Sequence, residues 1–200
     1  MALPDRFPAV RPPGPRQRWA NLLVFLLGLA GVIFSLFLRD QVLGATIRYS
    51  NLQAGINADF PPDWLLEEAG SDYVFRIRDT AAPDFPTTLQ VSLFPVGSDS
   101  APRNIFDALT LQRSQTLAAY SVGNAQSYLL PDGIETSALS YTYVTTAENP
   151  FLGSRPVIVE GLDVLVFERD QALVITYRAS AENFGRELQH LDRFMQGLDF

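Results

Sequence analysis

A single unbroken apolar run, Ala20 to Leu38, constrains this chain more than any other feature. It reads ANLLVFLLGLAGVIFSLFL and holds no ionisable residue. As a helix these 19 residues reach roughly 28 Å, about the thickness of a bilayer's hydrocarbon core. A single segment crosses lipid with its backbone hydrogen bonds satisfied only as a helix. The run therefore predicts a transmembrane helix over residues 19–39, ahead of one soluble domain over residues 45–200.

Charge around the run sets an expected orientation. The tail, residues 1–18, carries Arg6, Arg11, Arg16 and Arg18 against one acid, Asp5. Trp19 stands where an interfacial aromatic belongs, and on the far side Arg39 and Asp40 cancel. Positive charge stays on the cytoplasmic side. The expected topology is thus a single pass of the cell membrane, with the N-terminus cytoplasmic and the C-terminal domain extracytoplasmic. A cleaved signal peptide has a shorter apolar core and a small-x-small site after it. Here the core is longer and the nearest site, Val42-Leu43-Gly44, is poor, so an uncleaved anchor is expected. Prolines crowd the first 15 residues of the tail, which reads as extended or disordered.

Composition narrows the chemistry. There is no cysteine, which excludes disulfides, cysteine metal sites and thiol catalysis together. Residues 39–200 hold 11 arginines against 21 acids, a balance of −10. An acidic domain repels nucleic acid, so none is expected as a partner.

Beyond the run, period-2 patterns dominate. Tyr73, Phe75 and Ile77 alternate with more polar neighbours, as do Leu89, Val91 and Leu93, and Leu139, Tyr141 and Tyr143. Each reads as a strand with one face in the core. Val157–Phe167 and Ala172–Tyr177 are richer in Val, Ile and Leu and read as central strands. Glu168 to Gln171 between them reads as a hairpin turn. A helix is predicted over 102–119, capped by Ser100 with Pro102 in its first turn. Another is predicted over 181–196, capped by Ser180 and stopped by Gly197. Its apolar face is Phe184, Leu188, Leu191, Met195 and Leu198. The expected fold class is α+β, a mostly antiparallel sheet flanked by helices and preceded by one N-terminal transmembrane helix.

The domain opens with Tyr49-x-Asn51, a Gly55-Ile56 step, and Phe60-Pro61-Pro62-x-Trp64. It closes with Val174-Ile175-Thr176-Tyr177, the Phe184 helix and Gly197-Leu198-Asp199-Phe200. These stretches resemble the PsbP-like superfamily, in a bacterial membrane-anchored form, although Ile56 stands where an aromatic is more usual. The resemblance covers most of residues 46–200 and implies an α-β-α sandwich that binds other proteins and is not an enzyme. The same residues have a plain physical reading as fold-building positions. Gly55 suits a turn, Pro61-Pro62 ends a strand, and Trp64 buries a large apolar area.

Chemistry-bearing motifs are sparse. His190 is the sole histidine and sits beside the apolar stripe of its helix, which reads as a solvated flank. One histidine without cysteine excludes histidine-rich zinc sites and Cys–His dyads. No Gly-x-Ser-x-Gly elbow or phosphate loop is present. Acids cluster at Glu67, Glu68 and Asp72, and at Asp79 and Asp84, in no EF-hand spacing; an occasional calcium ligand set stays open. No catalytic residue, cofactor or metal is assigned.

The apolar run carries a pattern of its own. Asn21, Val24, Gly28, Gly31 and Ser35 fall within an arc of roughly 80° on a helical projection. Small residues with a polar amide on one stripe suit close helix–helix packing. The expected function is a non-catalytic anchored accessory or assembly subunit. Its span and soluble domain bind other integral membrane proteins, for instance in a respiratory or photosynthetic electron-transfer complex. The alternative is a stand-alone anchored binding domain for a small ligand or envelope component. An anchored hydrolase ranks last.

Overall fold

The computed structural model describes residues 15–43, 45–52, 54–68, 70, 72–82, 84–97, 101–146, 155–168 and 171–200 of the 200-residue chain. Residues 1–14 of the tail, the predicted cap Ser100 and the turn residues Arg169-Asp170 lie outside them. The chain divides into a unit ending at Ala45 and a unit spanning Thr46–Phe200.

The first unit is one helix, α1, Pro15–Leu43. It outruns the apolar stretch at both ends: Pro15 opens it, where a missing N–H costs nothing, and Arg39 and Asp40 continue it. Within it Trp19–Arg39 is the one segment among the described residues long and apolar enough to cross a membrane, with none of its most apolar stretch buried.

The second unit is α+β. Its strands are β1 (Ile47–Asn51), β2 (Ile56–Phe60), β3 (Leu65–Glu68), β4 (Phe75–Asp79), β5 (Thr87–Pro95), β6 (Ala118–Leu129), β7 (Glu135–Thr146), β8 (Pro156–Glu168) and β9 (Gln171–Ser180). Its helices are α2 (Pro102–Thr116) and α3 (Phe184–Gln196). Strands β3 to β9 form one antiparallel sheet in the order β3-β4-β5-β9-β8-β7-β6, and β1 and β2 form a separate hairpin. The Val/Ile/Leu-rich strands β8 and β9 are central, because only a strand covered on both faces needs a continuous apolar run. Glu168 pairs with Gln171 where the two strands meet.

The sheet has a layer on each face. One face, carrying Phe75, Ile77, Leu89, Val91, Ile175 and Tyr177, packs against β2 and α3 in the main core. The other, carrying Leu139, Leu165, Ala172 and Val174, receives Ile105, Phe106 and Leu109 of α2. This is an α-β-α arrangement.

The opening motif builds the β1–β2 hairpin. Asn51 Oδ1 accepts from the Ala54 N–H at 3.0 Å, and Asn51 Nδ2 donates to the Tyr49 hydroxyl at 3.2 Å. Gly55 has φ +69°, which a side chain disfavours. Tyr49 packs on Phe75 with ring centroids 4.8 Å apart. Phe60 is buried, and the Pro61 carbonyl accepts from the Trp64 N–H at 3.2 Å, turning the indole into the core.

Three expectations need adjustment. Helix α2 stops at Thr116, because Leu117 is already extended. Helix α3 starts at Phe184, because Ser180 belongs to β9; Asn183 holds the cap position. Gly197 does stand at the α3 C-cap, but with φ −95°, so its value there is space: a Cβ would come within 2.7 Å of Asp59 Cβ. Strand β6 has no counterpart in the period-2 reading. It is an edge strand, almost wholly exposed, with register shifts between Ala118 and Ser121 and between Val122 and Ala125. Such bulges break the alternation that marks a strand.

Trp64 is 6% exposed. Trp64→Ala should therefore cost about 3–5 kcal/mol, as large aromatic truncations do. Chemical unfolding of the full chain measures this, and an unchanged midpoint would contradict it.

Candidate functional site

Helix α2 covers only part of its sheet face. Beside it runs an open cleft of about 540 Å³, floored by β5 and β9 and walled by α2 and the Tyr73 segment before β4. Alternation places Gln90 and Ser92 of β5 and Thr176 and Arg178 of β9 on this floor. The register sets Arg76 of β4 opposite Gln90, and Gln90 opposite Thr176.

One end of the floor is a buried ion pair. Asp163 of β8 has no exposed surface, and both its oxygens accept from Arg113 of α2: Oδ1 from Nη2 at 2.9 Å and Oδ2 from Nη1. Thr176 Oγ1 donates to Asp163 Oδ1 at 2.7 Å. The Arg113 guanidinium lies over the Tyr141 ring, 4.3 Å from its centroid. Tyr141 fits there because Gly161 faces it across the β7–β8 register; any Cβ at Gly161 would collide with the ring. Burial opposes the charge on Arg113, but Asp163, Tyr141 and Tyr120 together outweigh it and the pKa rises. Burial also drives the Tyr141 hydroxyl up, with Asp163 adding to the shift. Both groups hold their protons throughout the physiological range.

The rest of the floor is a polar relay around Gln90. Its Oε1 accepts from Arg178 Nη2 at 3.2 Å, and its Nε2 donates to Ser92 Oγ at 3.2 Å. Ser92 in turn donates to the Asp72 carbonyl at 2.9 Å. Arg76 lies over the Tyr73 ring, 4.2 Å from its centroid, and is 3.6 Å from Glu67. Glu67 is held more closely by Arg78, at 2.6 Å.

Apart from Glu67 and Asp72, named in an acidic cluster, none of these residues is a site candidate from sequence. One signal was available: Asp163 is a lone acid inside the apolar run Leu162–Phe167, and a buried carboxylate needs a partner. The hairpin residues Tyr49, Asn51, Gly55, Phe60, Pro61 and Trp64 gather at β1–β2, none of them lining the cleft. The anchor residues Asn21, Val24, Gly28, Gly31 and Ser35 are all exposed on α1, and a Cβ at Gly28 or Gly31 meets nothing within 4 Å. Acids at Glu67 and Glu68 belong to β3, and Glu67 answers arginines rather than facing solvent alone. Among the described residues no three His, Asp or Glu side chains converge as a metal site.

His190 differs from the solvated flank expected of it. It is half-buried, its ring lies 5.2 Å from the Trp64 indole, and its Nδ1 is buried without a hydrogen-bond partner. Trp64 is broad enough to reach past the apolar stripe of α3 onto its edge. Burial lowers the His190 pKa, against an opposing pull from Glu187.

No protein-family model and no curated protein matches the chain. Solved structures do. The solution structure of cyanobacterial PsbP (CyanoP) from Synechocystis sp. PCC 6803 aligns with TM-score 0.51 at 14% identity, covering 78% of this chain and 92% of that one. LpqN of Mycobacterium tuberculosis, involved in cell envelope biogenesis, aligns at 0.49 and 14% identity over 80% of this chain and 94% of that one. The Saccharomyces cerevisiae Ran-binding protein Mog1p aligns at 0.45 and 9% identity, over 78% and 95%. The likeness to CyanoP establishes a PsbP-like fold.

Two predictions follow from this geometry. Asp163→Asn strands a buried guanidinium and should cost about 3–5 kcal/mol, whereas replacing Arg113 and Asp163 together by Met and Leu should cost far less. Equal losses in the two proteins would show that the charges are not coupled. For His190, the unfolded chain takes up a proton before the folded one does. Stability from the neutral ring is therefore complete above about pH 6.5 and drains as pH falls. Between about pH 7.5 and pH 5.5 the wild type should lose more melting temperature than His190→Gln. Parallel pH profiles would contradict this.

Proposed function

We propose that the chain is a non-catalytic accessory or assembly subunit anchored in the cell membrane. The span Trp19–Arg39 docks beside another integral membrane protein. The PsbP-like unit lies on the extracytoplasmic side and binds proteins there, in a respiratory or photosynthetic electron-transfer complex. The observation that carries this reading is the span itself: it is apolar, and its described side chains are exposed. It needs lipid around it, and its stripe of small residues suits a neighbouring helix. The arginines of the tail favour the N-terminus in the cytoplasm.

The cleft supports a binding role over a catalytic one. Its charged lining is three arginines and the exposed Asp72. A guanidinium does not exchange protons near neutrality, and Tyr141 is shifted further from it. General acid–base work calls for a group that titrates close to the working pH. The fold shared with CyanoP agrees with a protein-binding scaffold, by analogy of architecture. The cleft itself favours the second reading, a stand-alone anchored domain for a small ligand or envelope component, because its volume suits one.

Native electrophoresis after mild solubilisation separates the two. A subunit migrates with a large complex, and a stand-alone domain migrates near its own 22.2 kDa plus detergent. Gly31→Leu should keep the helix in the membrane but release its partners, because close backbone approach is lost. Leu26→Ala, on the opposite face, should release none. Retention of every partner by Gly31→Leu would remove the span from the interface. For topology, protease added outside spheroplasts should digest residues beyond 40 and spare the tail; the reverse pattern would invert the orientation.

A further inference from the structure

The cleft beside α2 has a chemical preference of its own, independent of what the span binds. Residues 39–200 carry a balance of −10, yet three arginines line this one concavity. Arg113 is neutralised by the carboxylate it grips. Arg178 is not. Among the described residues its one acceptor is the neutral Gln90 amide, and its Nε has no acceptor at all. Arg76 also has an Nε without an acceptor, and its nearest carboxylate is shared with Arg78. The two stand on either side of Gln90, which faces Arg76 in register and holds Arg178 by its oxygen.

The neutral donors of the floor are already committed. Thr176 donates to Asp163, Ser92 to the Asp72 carbonyl, and Gln90 to Ser92. A guest is thus met chiefly by guanidinium N–H groups, which match carboxylate and phosphate oxygens two at a time. Apolar surface is also at hand: Leu109 and Leu117 on the α2 wall, beside the polar Gln112 and Thr116, and Phe94 at the β5 end of the floor. The volume of about 540 Å³ suits a small organic molecule rather than a bare ion.

We propose that this cleft binds an organic anion, with a carboxylate or phosphate head on Arg178 and Arg76 and an apolar body against Leu109, Leu117 and Phe94. Among the described residues Arg178 lines the cleft with only a neutral amide against it, and an anion there gains charge-assisted hydrogen bonds that a neutral guest does not. The same charges disfavour a neutral or cationic guest of equal shape.

The test uses the full chain in uncharged maltoside micelles, labelled with ¹⁵N at arginine. The side-chain Nε–H signals of Arg76 and Arg178 are followed while benzoate, phenyl phosphate, benzamide or inorganic phosphate is added. Benzoate or phenyl phosphate should shift both signals saturably, and the tighter of the two identifies the head group. Benzamide, the neutral counterpart of benzoate, should bind at least tenfold more weakly, and inorganic phosphate more weakly than phenyl phosphate. Arg178→Gln should weaken binding at least tenfold, while Arg103→Gln, at the exposed start of α2, should leave it unchanged. If Arg178→Gln does not fold, the comparison of benzoate with benzamide on the wild type decides alone. No saturable shift with either organic anion, or equal affinity for benzoate and benzamide, overturns the proposal.

Discussion

Asp163 sits with no exposed surface on β8, a central strand of a seven-stranded sheet, and the strand can occupy that place only if the charge is answered. Arg113 answers it from α2, and in doing so fixes where that helix lies on the sheet. The apolar contacts of Ile105, Phe106 and Leu109 would hold α2 against the face without saying how far along it lies. The two-pronged ion pair supplies that register. Tyr141 under the guanidinium, and Gly161 under Tyr141, are consequences: each leaves room for the next. Such a pair adds little net stability over apolar residues of the same shape, but it penalises every arrangement that leaves one charge alone.

Placing α2 this way leaves part of the face open, and the opening is the cleft. The two faces of the sheet therefore do different work. The face under α3 and β2 is a continuous apolar core, closed by Trp64 and by the pairing of Asn57 with Asp199 near the chain end. The face under α2 changes from apolar at Leu165 and Val174 to polar at Thr176 and Arg178 within the same strands. A single strand, β9, thus carries core on one side and cleft on the other, which holds the cleft's floor rigid.

Much of this was legible before the structure. Alternation at Phe75 and Ile77 and at Leu89 and Val91 located core-facing strands, because one covered face imposes period 2. Continuous apolar runs marked β8 and β9 as central, and the stripe through Leu191 and Met195 marked α3. The motif from Tyr49 to Trp64 pointed to the PsbP-like fold that the likeness to CyanoP establishes. Strand β6 escaped because it is an edge strand with little to bury and two shifts of register. The cleft escaped for a different reason. Arg113 and Asp163 are 50 positions apart, and Arg178 and Gln90 are 88 apart. Nothing local in either segment records that they meet. His190 was misjudged because its partner, Trp64, arrives from another element.

The central claim is that the chain works as an anchored subunit whose span packs on a partner. Photocrosslinking from within the span in intact cells tests it most directly. A photoreactive residue at Ser35, on the small-residue stripe, should yield a discrete protein adduct. The same residue at Leu26, on the opposite face, should yield only lipid adducts. If both positions give lipid adducts alone, the span is a tether and the account of a docked subunit is wrong.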